Sequence, residues 1–515
     1  MLAESVLGRL YAIWLQSAIF AALGRFSRFV GRCWRGSLLR RALAHESRIQ
    51  QMYETGLFAR VVAAVLGFIV GVLRRIFSWF GRLNAGSVNL RLWRRYGSGA
   101  FLLRYESIFG AFLCVMFLWP HDYWSNTYAL LGAAAIMVLY FCMVARSRRS
   151  LLQPTALGLP ALLFAAACCL SLAFTRDMSD SIRVLLFFVT GFMLCYLAAG
   201  VANSRRSLMT VLGFIYLGVF LTGCYAIVQR IMGVEVSSSL TDLTINEGVP
   251  GRVYAGLDNP NNYAEFLVLM LPVSAAYAIN VRAKWGNLPL SLPLCLGLAV
   301  PMLGIVMTYS RSGWISIALA ALVFVFFAEK KLIPILFMLA VLCVPLLPDS
   351  VITRFLTLFN NSDSSNNHRL LVWQGVSQLL GDYWKTGIGL GPNSFAEVYP
   401  TYARPAALEG TPHSHMVWME LVVETGIFGF VTFMWFYIRT VKNAGLAILG
   451  TKNKALKIAL CACTAALCGI AFSCCVEYVW YYPRVLFAFF LQMGFCIGLA
   501  KLRHEDALPP EEPSC

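Results

Sequence analysis

His413 and His415, separated by Ser414, close a polar interval that begins near Asp349 and runs straight into Met416–Phe436, an apolar stretch long enough to be a membrane helix. Histidine is the side chain that titrates nearest neutrality, so a pair at a helix mouth suits a general base acting on a hydroxyl. The same interval holds His368-Arg369 and, four residues after Arg369, Trp373. Upstream, Tyr309-Ser310-Arg311-Ser312-Gly313-Trp314 sets a second arginine among small residues at a helix start. There a phosphate can approach backbone, guanidinium and helix N-terminus together. Two guanidiniums, Arg311 and Arg369, would suit a diphosphate. The plainer readings are an arginine that snorkels to headgroups and a histidine that caps a helix. Asp177-Met-Ser-Asp180 has the wrong spacing for a metal-binding carboxylate pair, and hard cations want clustered oxygen ligands. The chemistry expected is therefore independent of metal and cofactor.

The elements that must position these groups are membrane helices. The chain has 515 residues, 59% hydrophobic and only 13% charged, with a mean hydropathy of +0.68. A soluble domain would carry about 25% charged residues. The apolar runs are continuous rather than alternating, which excludes a closed barrel. The fold class expected is an all-α integral membrane protein of about twelve transmembrane helices. They are read at 106–119, 126–145, 154–174, 183–202, 208–230, 263–281, 288–308, 312–328, 332–347, 415–438, 456–476 and 481–500. A large loop, 348–414, precedes the tenth.

The connecting loops alternate in charge. One side carries 32 of the 42 Lys and Arg, including Arg205-Arg206, Arg282, Lys284 and the run Arg439–Lys457. The other carries ten, among them Arg252, Arg311, Arg354, Arg369 and Arg484. The positive-inside rule makes the first side cytoplasmic, with both termini inside and the loops 231–262 and 348–414 outside. The formal charge of +17 then belongs to membrane orientation, and nucleic acid is not an expected partner. Three parts follow: an Arg-rich region 1–104, a polytopic body 105–504 and a cytoplasmic tail 505–515.

Region 1–104 holds sixteen Arg against Glu4, Glu46 and Glu54. Its apolar stretches, Leu10–Leu23 and Val61–Leu73, are short for spans and bracketed by arginine, so they read as amphipathic helices on anionic lipid; a docking module for a cytoplasmic partner is the alternative. Most of the sixteen cysteines sit inside apolar runs, where they read as small hydrophobes rather than a disulfide framework or zinc site. The start Met-Leu-Ala-Glu-Ser lacks a basic n-region, so no cleaved signal peptide is read there.

Over roughly 120–500 the chain resembles the O-antigen ligase and O-antigen polymerase family of bacterial envelope glycan transferases. Three blocks carry the resemblance: Asn259-Pro-Asn261-Asn262-Tyr263-Ala264; Tyr309-Ser-Arg311-Ser-Gly313; and Arg369 with Trp373 through Gly387-Ile-Gly389-Leu-Gly391 to His413-Ser-His415. Glu424-Thr-Gly-Ile-Phe-Gly429 follows, nine residues after His415. Family sequences commonly have Asn after the motif His, where this chain has Met416; the Glu424 spacing favours His415 over His413 as the motif histidine. The resemblance implies a glycan donor on undecaprenyl diphosphate, presented at the outer face, and a glycan or lipid acceptor. It implies Arg311 and Arg369 as the diphosphate clamp and His415, or His413, as the group that orients or deprotonates the acceptor hydroxyl. Asn259, Asn261, Trp373 and Glu424 are the further substrate-binding candidates. Ligase, polysaccharide polymerase and protein glycosylation stay open. The competing classes are a polysaccharide or lipid transporter or flippase, which would place charge at mid-membrane, and a non-enzymatic scaffold of envelope assembly.

Overall fold

The computed structural model describes residues 48–83, 101–147, 154–202, 204–234, 251–356, 364–405 and 411–502, with isolated positions among 1–47 and at Ser87. Leu10–Leu23 and the tail 505–515 lie outside this range, apart from Gln16. The chain divides into two compact units, Met1–Ala59 and Arg60–Cys515. Helix α1 (Arg48–Thr55) belongs to the first, and α2 (Leu57–Leu83) begins at its end.

Among its described residues, the second unit is helical apart from one two-stranded hairpin. In order it runs α3 (Tyr105–Leu118), α4 (Asn126–Ser147), α5 (Leu159–Ser171), α6 (Met178–Val201), α7 (Arg205–Met232) and α8 (Pro260–Asn280). The hairpin pairs β1 (Lys284–Trp285) with β2 (Leu288–Pro289), Trp285 opposite Leu288. Then come α9 (Ser291–Gly297), α10 (Ala299–Met307), α11 (Arg311–Glu329), α12 (Ile333–Cys343), α13 (Asp349–Leu356), α14 (Ser364–Tyr383) and α15 (Pro392–Val398). Three long helices finish it: α16 (Val417–Gly450), α17 (Lys454–Ser473) and α18 (Pro483–Lys501).

Among the described residues, eight helical segments are long and apolar enough to cross a membrane, and three shorter apolar segments accompany them. The chain is thus an all-α, multi-pass membrane protein. Most expected spans reappear within a few residues. The span read at 288–308 is broken into α9 and α10, and two others differ for local reasons. The span read at 332–347 is an α-helix of 11 residues, ended at Val344-Pro345 by a proline that cannot donate to the ladder. The helix read to end at 438 continues to Gly450, with no proline after 438 to end it, and it is kinked at Gly426, whose φ is +67°. The short stretch Val61–Leu73 lies inside the 27-residue α2, long and apolar enough to cross. Its Arg60, Arg74, Arg75 and Arg82 share one arc of roughly 100° at 3.6 residues per turn.

Helix starts follow sequence chemistry. The Asp177, Ser204, Asn259, Ser310 and Asn453 side chains each accept from backbone N–H groups in the first turn behind them. At the centre stand α8 and α18. They pack through small residues: Gly494 and Gly498 of α18 lie directly on Cys195, Ala198, Ala199 and Ala202 of α6. Gly469 of α17 likewise meets Ser316 and Ala320 of α11.

Arg484, buried at the start of α18, donates to the carbonyls of Met116 at 3.1 Å, Trp119 at 2.5 Å and Gly256 at 2.9 Å. This guanidinium ties the end of α3 and the loop before α8 to α18. Residues 364–405 form a cap with its own small core of Val372, Val376, Leu379, Ile388, Phe395, Val398 and Tyr399, seated on Val423 of α16.

Candidate active site

Glu477, in the turn between α17 and α18, is where the candidate residues meet. Its Oε1 accepts from Arg369 Nη2 of α14 and, at 3.3 Å, from Asn261 Nδ2 of α8. Its Oε2 lies 3.7 Å from His415 Nδ1. The Glu477 side chain is 12% exposed and that of Arg369 19%. Burial alone would raise the Glu477 pKa. The charge of Arg369 and the neighbouring histidines outweigh it and hold the carboxyl down at about 2. Glu477 is therefore ionised and faces the Nδ1 edge of His415 at 3.7 Å, beyond hydrogen-bond distance.

The His413-Ser414-His415 turn is held from several directions. Trp373 Nε1 donates to Ser414 O at 3.0 Å, and Ser414 N donates to Glu420 Oε2 at 2.6 Å. His415 takes φ +54°, a left-handed conformation that costs a non-glycine residue about 1 kcal/mol or more. His415 N donates to His413 Nδ1 at 3.1 Å, which assigns the His413 proton to Nε2. His413 is buried against Tyr478 and Tyr481, with ring centroids at 5.3 and 4.7 Å, and burial with the nearby charge of His415 lowers its pKa to about 3. It is neutral at ordinary pH. His368 joins on the other side, its ring centroid 5.9 Å from that of His415.

A cluster of arginines adjoins this turn. Arg252 donates through Nη2 to Asn261 Oδ1 at 2.7 Å and through Nε to Thr308 O at 2.7 Å. Asn261 thus bridges Arg252 to Glu477. Burial, then the charge of Arg354, lowers the Arg252 pKa to about 9; Arg311 and Arg369 push the same way and Glu477 opposes them. Arg252, Arg311 and Arg354 are buried. Arg311 opens α11 behind the Ser310 cap, where the helix N-terminus adds partial positive charge. Arg354 Nε donates to Tyr309 O at 3.4 Å. Arg369 contacts Glu477 directly, Arg252 reaches it through Asn261, and Arg311 and Arg354 lie near enough to Arg252 to depress its pKa, so positive charge is concentrated at this end of α8.

The structure thus brings together Arg311, Arg369, Asn261, His413 and His415. It gives the other three sequence candidates positioning tasks. Asn259 Oδ1 accepts from Asn261 N at 2.9 Å and Asn262 N at 3.1 Å, capping α8. Trp373 holds the histidine turn. Glu424 accepts from Gly391 N at 3.0 Å and Tyr478 Oη at 3.1 Å, anchoring the cap to α16. Gly387, Gly389 and Gly391 all have φ between +69° and +97°, and a Cβ at Gly391 would lie 2.6 Å from Asp180 Oδ2. Those glycines let the cap dock.

Sequence reasoning missed Glu477, Arg252 and Arg354 as site members. Their sidedness was readable from the loop charges, but their meeting depends on α8, α13 and the turn before α18 converging in space.

Residues 294–434 match the family model of the O-antigen ligases. That segment contains Arg311, Arg354, Arg369, His413 and His415, while Arg252, Asn261 and Glu477 lie outside it. No curated protein matches the chain. Among solved structures, one described as "Structural coordination of polymerization and crosslinking by a peptidoglycan synthase complex" is similar over 67% of this chain and 98% of its own, at 16% identity and a TM-score of 0.39. The chain therefore carries an O-antigen ligase domain over residues 294–434, the family that its motifs resemble.

Proposed function

We propose that the protein is a metal-independent glycan transferase that moves or polymerises an oligosaccharide carried on undecaprenyl diphosphate, at the outer face of the cytoplasmic membrane. The observation that carries this reading is the meeting of Arg369, Asn261 and His415 at Glu477, with Arg252 joined through Asn261 and Arg311 and Arg354 close to Arg252. The guanidiniums of Arg311, Arg369, Arg252 and Arg354 hold the donor diphosphate. The acceptor hydroxyl oxygen bonds to the anomeric carbon as the bond from that carbon to the diphosphate oxygen breaks. Its electron pair leaves with the diphosphate, whose charge the arginines stabilise. The hydroxyl proton passes to His415, and the nearby Glu477 carboxylate stabilises the imidazolium that forms, closing to a hydrogen bond as the charge develops. His413, kept neutral, shapes the turn through Nδ1 and offers Nε2–H to the acceptor.

The basic-loop partition supports an orientation with both termini cytoplasmic and the cap 364–405 outside, in a body of about twelve spans. Within region 1–104, α2 sets its arginines along one face and the exposed apolar residues Ile69, Ile76 and Phe80 on the opposite one, which supports a helix lying against anionic lipid.

The testing experiment is transfer by purified protein from a lipid-linked oligosaccharide to an acceptor, scored as a new covalent glycan product with and without EDTA. Product forms equally in both. A transporter yields translocation without product, and loss of product in EDTA overturns the metal-independent mechanism.

A further inference from the structure

A second basic recess lies at the other end of α7 and α8. A cavity of about 540 Å³ opens there, between the first turns of α7 and the last of α8. Arg205 and Arg206, at the start of α7, and Arg282, just beyond α8, line its rim. Among the described residues none of the three has a hydrogen-bond or carboxylate partner. The floor is apolar, built from Met209, Phe214 and Leu217. Gly213 keeps it open, since a Cβ there would lie 3.1 Å from Tyr277 Oη. The site around Glu477 is at the opposite ends of these helices, about 30 Å away by the rise of a 21-residue helix.

We infer that this cavity binds one anionic phospholipid, its phosphate headgroup on Arg205, Arg206 and Arg282 and an acyl chain over the apolar floor. Charge and shape favour that occupant together. Three unpaired guanidiniums match a phosphate that can be approached from two sides. A floor of aliphatic and aromatic side chains suits a hydrocarbon chain and not a free water-soluble anion. The level is right as well. Both helices are membrane-spanning by length and composition, so their ends sit at the headgroups. Trp285, 75% exposed on the hairpin that follows Arg282, is the aromatic type that collects at that depth. On the orientation proposed above, this end faces the leaflet rich in anionic lipid.

The test uses the full chain in nanodiscs with a phosphatidylglycerol bearing a photoactivatable acyl chain, the cross-linked peptides then being mapped. Label is expected on the peptide spanning 209–217. The combined Arg205→Gln, Arg206→Gln and Arg282→Gln variant loses about a hundredfold in affinity for that label, at roughly fivefold per arginine. Gly213→Leu, which fills the floor and leaves every charge in place, lowers it too. Labels elsewhere on the protein persist in both variants, which separates loss of the site from loss of the fold. The inference is overturned if the triple variant labels like wild type, if the matching phosphatidylcholine probe labels 209–217 equally, or if inorganic phosphate competes as well as unlabelled phosphatidylglycerol.

Discussion

Arg252, Arg311 and Arg354 are buried at the end where α8 begins, whereas Arg206 and Arg282 stand exposed at the end where it finishes. The residue type is the same, and so is the excess of positive charge. What differs is the surroundings. In the first group Arg252 is locked onto Thr308 O and Asn261 and Arg354 onto Tyr309 O, and Asn261, Glu477 and His415 place a titratable group beside them. The second has an apolar floor and, among its described lining residues, no acid; Glu106 stands nearby but accepts from Ser207 Oγ. A fixed, dehydrated recess stabilises charge that develops during a reaction, because its dipoles need no reorganisation. An open rim can only hold charge that is already present.

Six substitutions sharpen this contrast, beginning with the largest effect. His415→Ala costs about 10²–10⁴-fold in turnover, the range for a positioned base, and His413→Ala costs less. A His415→Ala enzyme of normal rate would move the base to another residue. Arg311→Ala and Arg369→Ala each lower turnover by at least about tenfold, since a charge-assisted bond contributes roughly 1.5–3 kcal/mol. Lysine restores only part, lacking the bidentate fork.

Glu477→Gln lowers kcat by about 10–100-fold, as does loss of other groups that orient a reactive histidine, with KM little changed. Combined with Arg369→Ala, its effect is non-additive, because the two side chains share a hydrogen bond. Strict additivity would contradict the shared network. Asn259→Ala, by contrast, acts on the start of α8 and costs about 1 kcal/mol of stability through the lost cap. Its thermal midpoint falls while the rate per folded molecule holds; a specific kcat defect would return Asn259 to the substrate.

The sequence made some of this readable and hid the rest for identifiable reasons. Helices announce themselves by length and hydropathy, so α6, α7, α8 and α18 lie within a few residues of their expected positions. The ends of α16 depend on propensity within a basic segment, which hydropathy ignores. His415, Arg311 and Arg369 stand in short blocks of unusual type, and type is visible in one dimension. Glu477 sits in Cys474-Cys-Val-Glu-Tyr-Val-Trp, a stretch with no motif, and becomes central only when the turn before α18 meets α8 and α14. Asn259 and Trp373 carry the opposite lesson. Both belong to the resembling blocks, yet one caps a helix and the other pins the histidine turn.

The measurement that bears most directly on the division of labour is donor binding and turnover in one preparation, with purified protein and undecaprenyl-diphosphate-linked oligosaccharide. His415→Ala should bind the donor nearly as wild type does and form almost no product. Arg311→Ala should lose donor affinity along with turnover. Wild-type turnover in His415→Ala, or undiminished donor binding in the Arg311→Ala and Arg369→Ala double variant, would contradict the assignment of base and clamp.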